Sequence, residues 1–348
     1  MAAFNVEDVH TESYEYDITQ SDNPPSTEMV VQWSWGRIEW SWNVMFQLMS
    51  TILGVCGNLL VIIVIFRRHS GIRSTDILVG NLAIADLLTS LFWAPHPPSE
   101  VVPDTWAGIA FCKVWHGYYP MWTSVTASIY TLVAISFDRL YAVLYPMRFY
   151  RSVRRKRVVT VVIVLWIGSA LFSSSTLYTI TVDGETMKCV FSSSPHAQVV
   201  LGIVTFTIRL AVPTTILFTT QIAIARSLRR AALMAPKETL HEKAETSFHI
   251  VARRRIISLM LIVVVVYVIC WGPNQLAFVA FNLGIIPPTY LYSRLHWVFI
   301  TLALCNSWVN IGQPVHLYTP AQAIPQSTAR ALHWKKYEYA HIWRFGLS

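Results

Sequence analysis

The sequence predicts an all-α membrane protein, a seven-transmembrane helix bundle with a β-hairpin in the second extracellular loop. Three observations predict it. Apolar residues fill 54% of the 348 positions and charged residues only 13%, with a mean hydropathy of +0.44, which leaves too little polar surface for a soluble chain. The apolar residues also fall in blocks near the roughly 20 helical residues that cross a hydrocarbon core about 30 Å thick. Basic residues, finally, collect in alternate connections between the blocks.

Seven blocks are read, over residues 44–66, 76–95, 114–137, 158–180, 199–224, 256–281 and 295–311. Each must be helical, because a spanning segment has to satisfy every backbone polar group within itself. The connections after blocks one, three and five carry the basic residues, among them Arg67, Arg68 and Arg73, Arg154 to Arg157, and Arg253 to Arg255. This asymmetry predicts a multi-pass protein of the plasma membrane, in contact with lipid, with its amino terminus extracellular and its carboxyl terminus cytoplasmic. The net charge of +8 then reflects topology, and no nucleic-acid partner is implied.

Residues 1–43 are expected to form a disordered extracellular tail, rich in acid from Glu7 to Glu28 before the first basic residue, Arg37. The tail is either a solvated, inert segment or an acidic lure for a basic ligand, with Tyr14 and Tyr16 as sulfation sites. No cleavable signal is evident, so block one inserts as the first signal. Residues 44–318 make the transmembrane domain and 319–348 a cytoplasmic tail.

Cys56, Cys270 and Cys305 lie inside apolar blocks, where a cysteine serves as a small hydrophobe. Cys112 and Cys189 face the oxidising side, where a disulfide can join them. Around Cys189 the sequence LYTITVDGETMKCVF alternates about Asp183-Gly184, a favoured pair for a two-residue hairpin turn. A hairpin pinned over the third helix is the expected cap.

Ionisable side chains inside spans are costly and usually functional. Asp86, in NLAIADLL, and Arg209, in FTIRLAVP, are two. Asp86 is either a functional carboxylate or a purely structural one, and Arg209 either faces the bundle or snorkels to the outer interface. Asp138-Arg139 closes the third span and by itself suits an interfacial anchor equally well.

Together these residues resemble the rhodopsin-like, class A G-protein-coupled receptors, and the resemblance runs from about residue 43 to 310. It is carried by GNLLV with Asn58, LAIAD with Asp86, Trp106 ahead of Cys112, SFDRL followed by Pro146 and Met147, Trp166, Pro213, CWGP with Trp271 and Pro273, and NSWVN. The resemblance implies no enzymatic activity. It implies G-protein coupling through Asp138, Arg139, Pro146 and Met147, with helix six swinging outward about Pro273. It also implies an allosteric sodium ion held by Asp86, Ser128, Asn306, Ser307 and Asn310, with Trp271 and Asn58 alongside; no other cofactor is expected.

No Asp or Glu lies between Cys112 and Ser136 and no Lys in span seven, so neither a monoamine nor a retinal Schiff base is expected. A pocket of Met121, Trp122, Arg209, Trp271, Asn274, Gln275 and His296, with Arg294 at its mouth, suits a peptide's amides and carboxylate. The phrase CWGPNQLAF followed by FNLG is similar to helix six of neuropeptide receptors. An extracellular peptide and a heterotrimeric G protein are therefore the expected partners.

The chain also departs from the family pattern. Asn310 is followed by Ile311 in place of proline, and Pro314 stands where the tyrosine of N-P-x-x-Y belongs. Gln221 replaces another tyrosine that supports the active state, and the interval from Cys112 to Arg139 is two residues longer than usual. A poorly coupling receptor variant is thus an alternative. A transporter or channel is a remote one, since no internal repeat is visible.

Overall fold

The computed structural model describes residues 32–67, 74–145, 155–233 and 240–309. Pro146, Met147 and Asn310 lie outside the described residues, as do residues 1–31 and 310–348 of the two tails. The elements run β1 (Ser34–Trp35), α1 (Trp42–Phe66), α2 (Ser74–Phe92), β2 (Ser99–Val101), α3 (Trp106–Phe111), α4 (Tyr119–Leu144) and α5 (Arg155–Ser173). There follow β3 (Ile180–Asp183), β4 (Lys188–Phe191), α6 (Pro195–Phe206), α7 (Val212–Leu233), α8 (Leu240–Asn282) and α9 (Arg294–Val309). Span three comprises α3 and α4, and span five comprises α6 and α7; the other spans are single helices. Six of the spans are long and apolar enough to cross a membrane, and span seven is described over the 16 residues of α9.

Helix α1 shows how the lipid-facing spans are built. Its buried residues, Ser50, Thr51, Gly54, Asn58, Val61 and Ile65, recur every three or four positions and form one stripe, while Ile52, Leu53, Leu59 and Leu60 are exposed. Gly54 lets α2 come close, because a Cβ there would lie 2.1 Å from the Ser90 hydroxyl oxygen. Helix α4 is the opposite case. Every residue from Thr123 to Ile129 is buried, which makes span three the centre of the bundle. Spans two, three and four are tied by a relay in which Trp166 Nε1 donates to Asn81 Oδ1 (2.8 Å), Asn81 Nδ2 to Thr131 Oγ1 (2.8 Å), and Thr131 to the Ala127 carbonyl (2.6 Å).

The third span departs from the sequence expectation of one unbroken helix over 114–137. After α3 the chain makes a π-helical turn over Cys112–His116, then breaks at Tyr118, whose φ is +52°, before Pro120 opens α4. A π turn holds an extra residue, so it takes up part of the two-residue surplus between Cys112 and Arg139. Gly117 is required at the break, since a Cβ there would lie 2.6 Å from the Lys113 carbonyl oxygen. Tyr118 accepts the left-handed conformation with its ring packed 5.3 Å from Trp93 and 5.9 Å from His96.

The hairpin is present, but its turn is longer than the expected two residues. Asp183 pairs with Lys188, leaving residues 184–187 as the loop. The Asp183 carboxylate accepts from the Thr186 hydroxyl and backbone N–H, and these bonds hold it below the usual carboxylate range. Met187, at φ +51°, closes the loop. The tail differs as well: Ser34–Trp35 pairs antiparallel with Ser99–Val101, so the end of the segment expected to be disordered is a strand. Trp33 stacks on Trp35, and both meet Phe111 edge-on at 5.2 and 5.4 Å. Trp33 and Trp35 remain exposed, and their ring contacts hold this short strand against the top of span three.

Candidate functional site

Beneath the hairpin, span five makes a second π-helical turn, over Thr207–Ala211, and Arg209 sits in it. Two facts of the sequence shape this turn. Pro213 has no N–H to give the carbonyl four residues back, that of Arg209, and the N–H of Val212 goes instead to Thr207. The carbonyls of Ile208 and Arg209 are filled from elsewhere, by the hydroxyl of Tyr130 on span three (3.0 Å) and by that of Tyr267 on span six.

The Arg209 side chain faces the bundle and is 5% exposed, so it does not snorkel. Its Nε donates to Thr126 Oγ1 (3.1 Å) and its Nη2 lies 3.4 Å from Ser173 Oγ. Its Cζ stands 4.6 Å from the ring centre of Trp122 and 5.2 Å from that of Phe172. These partners are all neutral. Two hydroxyls and two aromatic faces hold the cation in a slot, and among the described residues no hydrogen bond uses Nη1.

Of the other expected pocket residues, Trp122 and Trp271 come together, with ring centres 6.5 Å apart. Asn274 and Gln275 are buried one turn above Trp271, and Gln275 Oε1 has no hydrogen-bond partner. Met121 is buried in a cluster with Trp93 and Leu304, against which Trp122 packs. His296 packs instead against Tyr290 and Trp297 at the hairpin end. Cys112 and Cys189 form a disulfide, which fixes β4 to the top of span three, and Ile180 and Val182 of β3 pack with Cys112 and Val102.

Deeper in the bundle lies a polar level around Asp86, which is 1% exposed. Ser128 donates to Asp86 Oδ1 (2.7 Å), and Asn58 Nδ2 reaches the Ser307 carbonyl (3.1 Å), joining spans one and seven. Asn306 Oδ1 is buried without a hydrogen-bond partner. One carboxylate among hydroxyl and amide oxygens, one of them unused, is a donor set that fits a hard cation. At the far end of span three, Thr75 donates to Asp138 Oδ2 (2.9 Å), beside Arg139. Gln221 is 4% exposed, and neither its oxygen nor its nitrogen has a partner.

The sequence reading missed Thr126, Phe172, Ser173, Tyr130 and Tyr267. A signal existed for two of them. Thr126 lies one helical turn from Trp122 and so shares its face, and Pro213 marks the Arg209 carbonyl as needing a donor, which Tyr267 provides.

A bundle of apolar spans capped by a disulfide-pinned hairpin defines a helical membrane protein. The family model of the 7 transmembrane receptor (rhodopsin family) matches residues 57–310, and the chain belongs to that family. It is therefore a multi-pass membrane receptor and not an enzyme, and the transporter or channel reading falls away. Galanin receptor 2a of Danio rerio is 29% identical over 267 residues, covering 75% of this chain and 70% of that protein. The [Phe13]-bombesin receptor of Bombina orientalis is 26% identical over 302 residues, 82% of this chain and 73% of that one. Galanin receptor type 2 of Homo sapiens is 26% identical over 262 residues, 74% and 65% respectively.

Proposed function

We propose that this chain is a plasma-membrane receptor for an extracellular peptide bearing a carboxylate, and that binding moves span six outward to activate a heterotrimeric G protein. The observation that carries the reading is Arg209, a buried guanidinium whose partners are neutral and which has an N–H group to spare. A ligand carboxylate supplies the missing charge, and Gln275 Oε1 accepts from an amide N–H beside it. The names of the galanin and bombesin receptors that resemble the chain support a peptide over other acids. In this reading the hairpin lies outside the cell and the Asp138-Arg139 end inside.

A sodium ion at Asp86, Ser128, Asn306 and Ser307 belongs to the same proposal. It would favour the resting bundle by neutralising a buried carboxylate and occupying the idle Asn306 oxygen. A second reading, of weak coupling, is favoured by Gln221, whose buried amide stands where the family's tyrosine would be and finds no partner.

The test is nucleotide exchange on a purified heterotrimeric G protein by the full chain in lipid discs. Galanin-type and bombesin-type peptides would be added as free acids and as amides. A free acid is expected to drive exchange more strongly than its amide. If an amide matches its acid, or if Arg209→Met leaves the acid's potency unchanged, the carboxylate reading fails.

A further inference from the structure

We infer that a chloride ion is the resting partner of Arg209, held by Nη1 and by the Ser173 hydroxyl, and that a ligand carboxylate must displace it. The displacement rests on the proposed peptide reading, whereas the ion itself follows from the protein alone.

Arg209 is buried, and among the described residues no carboxylate acts on it. Hydroxyls and rings return only part of what dehydrating a guanidinium costs, and a buried charge is stable when it is paired. The surroundings are also richer in donors than in acceptors. Thr126 Oγ1 accepts from Nε, while its own hydrogen goes to the Trp122 carbonyl (2.8 Å). Ser173 is 0% exposed; its oxygen accepts from Nη2, and among the described hydrogen bonds it donates none. The indole N–H of Trp271, whose ring centre is 6.5 Å from that of Trp122, is buried without an acceptor as well. Gln275 Oε1 is likewise unpaired, but an amide oxygen brings no charge.

One fixed positive charge with N–H and O–H groups to spare calls for a small anion of charge minus one. A divalent oxyanion would leave the slot negative, and its dehydration costs far more because that cost grows with the square of the charge. A halide neutralises Arg209 once and accepts from any direction, so the unused N–H groups of the guanidinium and the Ser173 hydroxyl can point at it together. Ser173 is the last residue of α5, next to the segment that leads to the hairpin. In the proposed orientation that end lies outside the cell, where chloride is the abundant small anion. A peptide carboxylate carries the same charge to the same N–H groups, so ion and ligand exclude each other. Chloride then weakens binding of a peptide acid and leaves that of its amide alone.

The test uses the full chain in lipid discs without peptide or G protein, with sodium fixed and chloride exchanged for gluconate at constant ionic strength. The unfolding temperature is expected to rise saturably with chloride, by on the order of 2–4 °C once the ion exceeds its dissociation constant about ten-fold. Arg209→Met is expected to show no dependence on chloride. Ser173→Ala keeps the cation and removes one donor, so the chloride concentration at half effect should rise several-fold. An unfolding temperature that ignores chloride in the parent overturns the inference, as does an undiminished response in Arg209→Met, which would place the anion elsewhere. Should the methionine variant not fold, Ser173→Ala decides, and an unchanged midpoint there overturns the assignment. Because no peptide is present, these failures leave the peptide reading standing, and a peptide acid whose affinity ignores chloride refutes the displacement alone.

Discussion

Replacing Arg209 with methionine should have opposite consequences for ligand binding and for the empty receptor. Taking a guanidinium out of water costs several kcal/mol even after relaxation. What it recovers here is modest: a bond to Thr126 at 3.1 Å, a longer one to Ser173 at 3.4 Å, and two aromatic faces at 4.6 and 5.2 Å. Charged hydrogen bonds return about 1.5–3 kcal/mol each when well formed, and each cation–π contact about 0.5–2 kcal/mol. The two sides nearly cancel. Arg209→Met, with a similar unbranched stem, should leave the empty receptor within about 2 kcal/mol of the parent and can raise its stability. Ligand affinity should respond differently, because a buried carboxylate then loses its cation, a change worth roughly 2–5 kcal/mol, or about 30-fold or more in Kd. Arg209→Lys should fall between them, since a point charge replaces the planar fork. Thermal unfolding of the purified receptor and binding of a peptide acid against its amide measure both effects. The reasoning is refuted if the methionine variant loses more than about 4 kcal/mol when empty, which would make Arg209 a structural cation, or if it binds the acid as the parent does.

Four further outcomes are expected. Asp86→Asn should abolish the difference between sodium and a bulky monovalent cation in their effect on agonist affinity; a persisting difference would place the sodium elsewhere. Cys189→Ser should free β4 from span three and lower ligand affinity at equal surface expression, with a cost to folding of about 2–5 kcal/mol, and unaltered binding would separate the hairpin from the pocket. Gly117→Ala places a Cβ against the Lys113 carbonyl and should lower the unfolding temperature by the equivalent of about 1–3 kcal/mol, whereas an unchanged temperature would mean that the break relaxes freely. Grafting an N-P-x-x-Y segment and a following amphipathic helix in place of residues 310–348 should raise ligand-driven nucleotide exchange at equal surface expression, and equal signalling by the parent would dismiss weak coupling.

The spans were legible because lipid imposes one requirement on every residue within them, and composition reports it directly. The hairpin was legible for a related reason, since alternation over LYTITV and KCVF survives any choice of turn. The turn itself was not. Asp183 and Gly184 suit a two-residue loop, yet the Asp183 carboxylate finds Thr186 three residues on, and that competition is settled by side-chain geometry. Span three shows the same limit. A surplus of two residues was countable, but a π turn and a left-handed Tyr118 follow from Gly117 meeting the Lys113 carbonyl and from Tyr118 packing on Trp93. For Arg209 the sequence posed the question without answering it, because pocket and interface differ by the partners offered, and Thr126 and Ser173 lie on other spans.

The described polar contacts also fit the proposed mechanism, in which span three is the fixed frame and span six the part that moves. Span three is bound at successive levels: Cys112 to the hairpin, Thr126 to Arg209, Ser128 to Asp86, Thr131 to Asn81 and Asp138 to Thr75. From Thr126 to Asp138 is about 18 Å at 1.5 Å per residue, so these ties pin it through much of the bilayer. Shifting such a helix means breaking several buried bonds together. Span six, among its described side chains, meets its neighbours through apolar packing around Trp271 and Val264, and its Tyr267 hydroxyl bonds the Arg209 carbonyl of span five. Apolar surfaces slide past one another at little cost in lipid, where no hydrophobic force opposes their separation. Among the described side chains, then, the proposed outward movement of span six would break fewer polar contacts than a shift of span three.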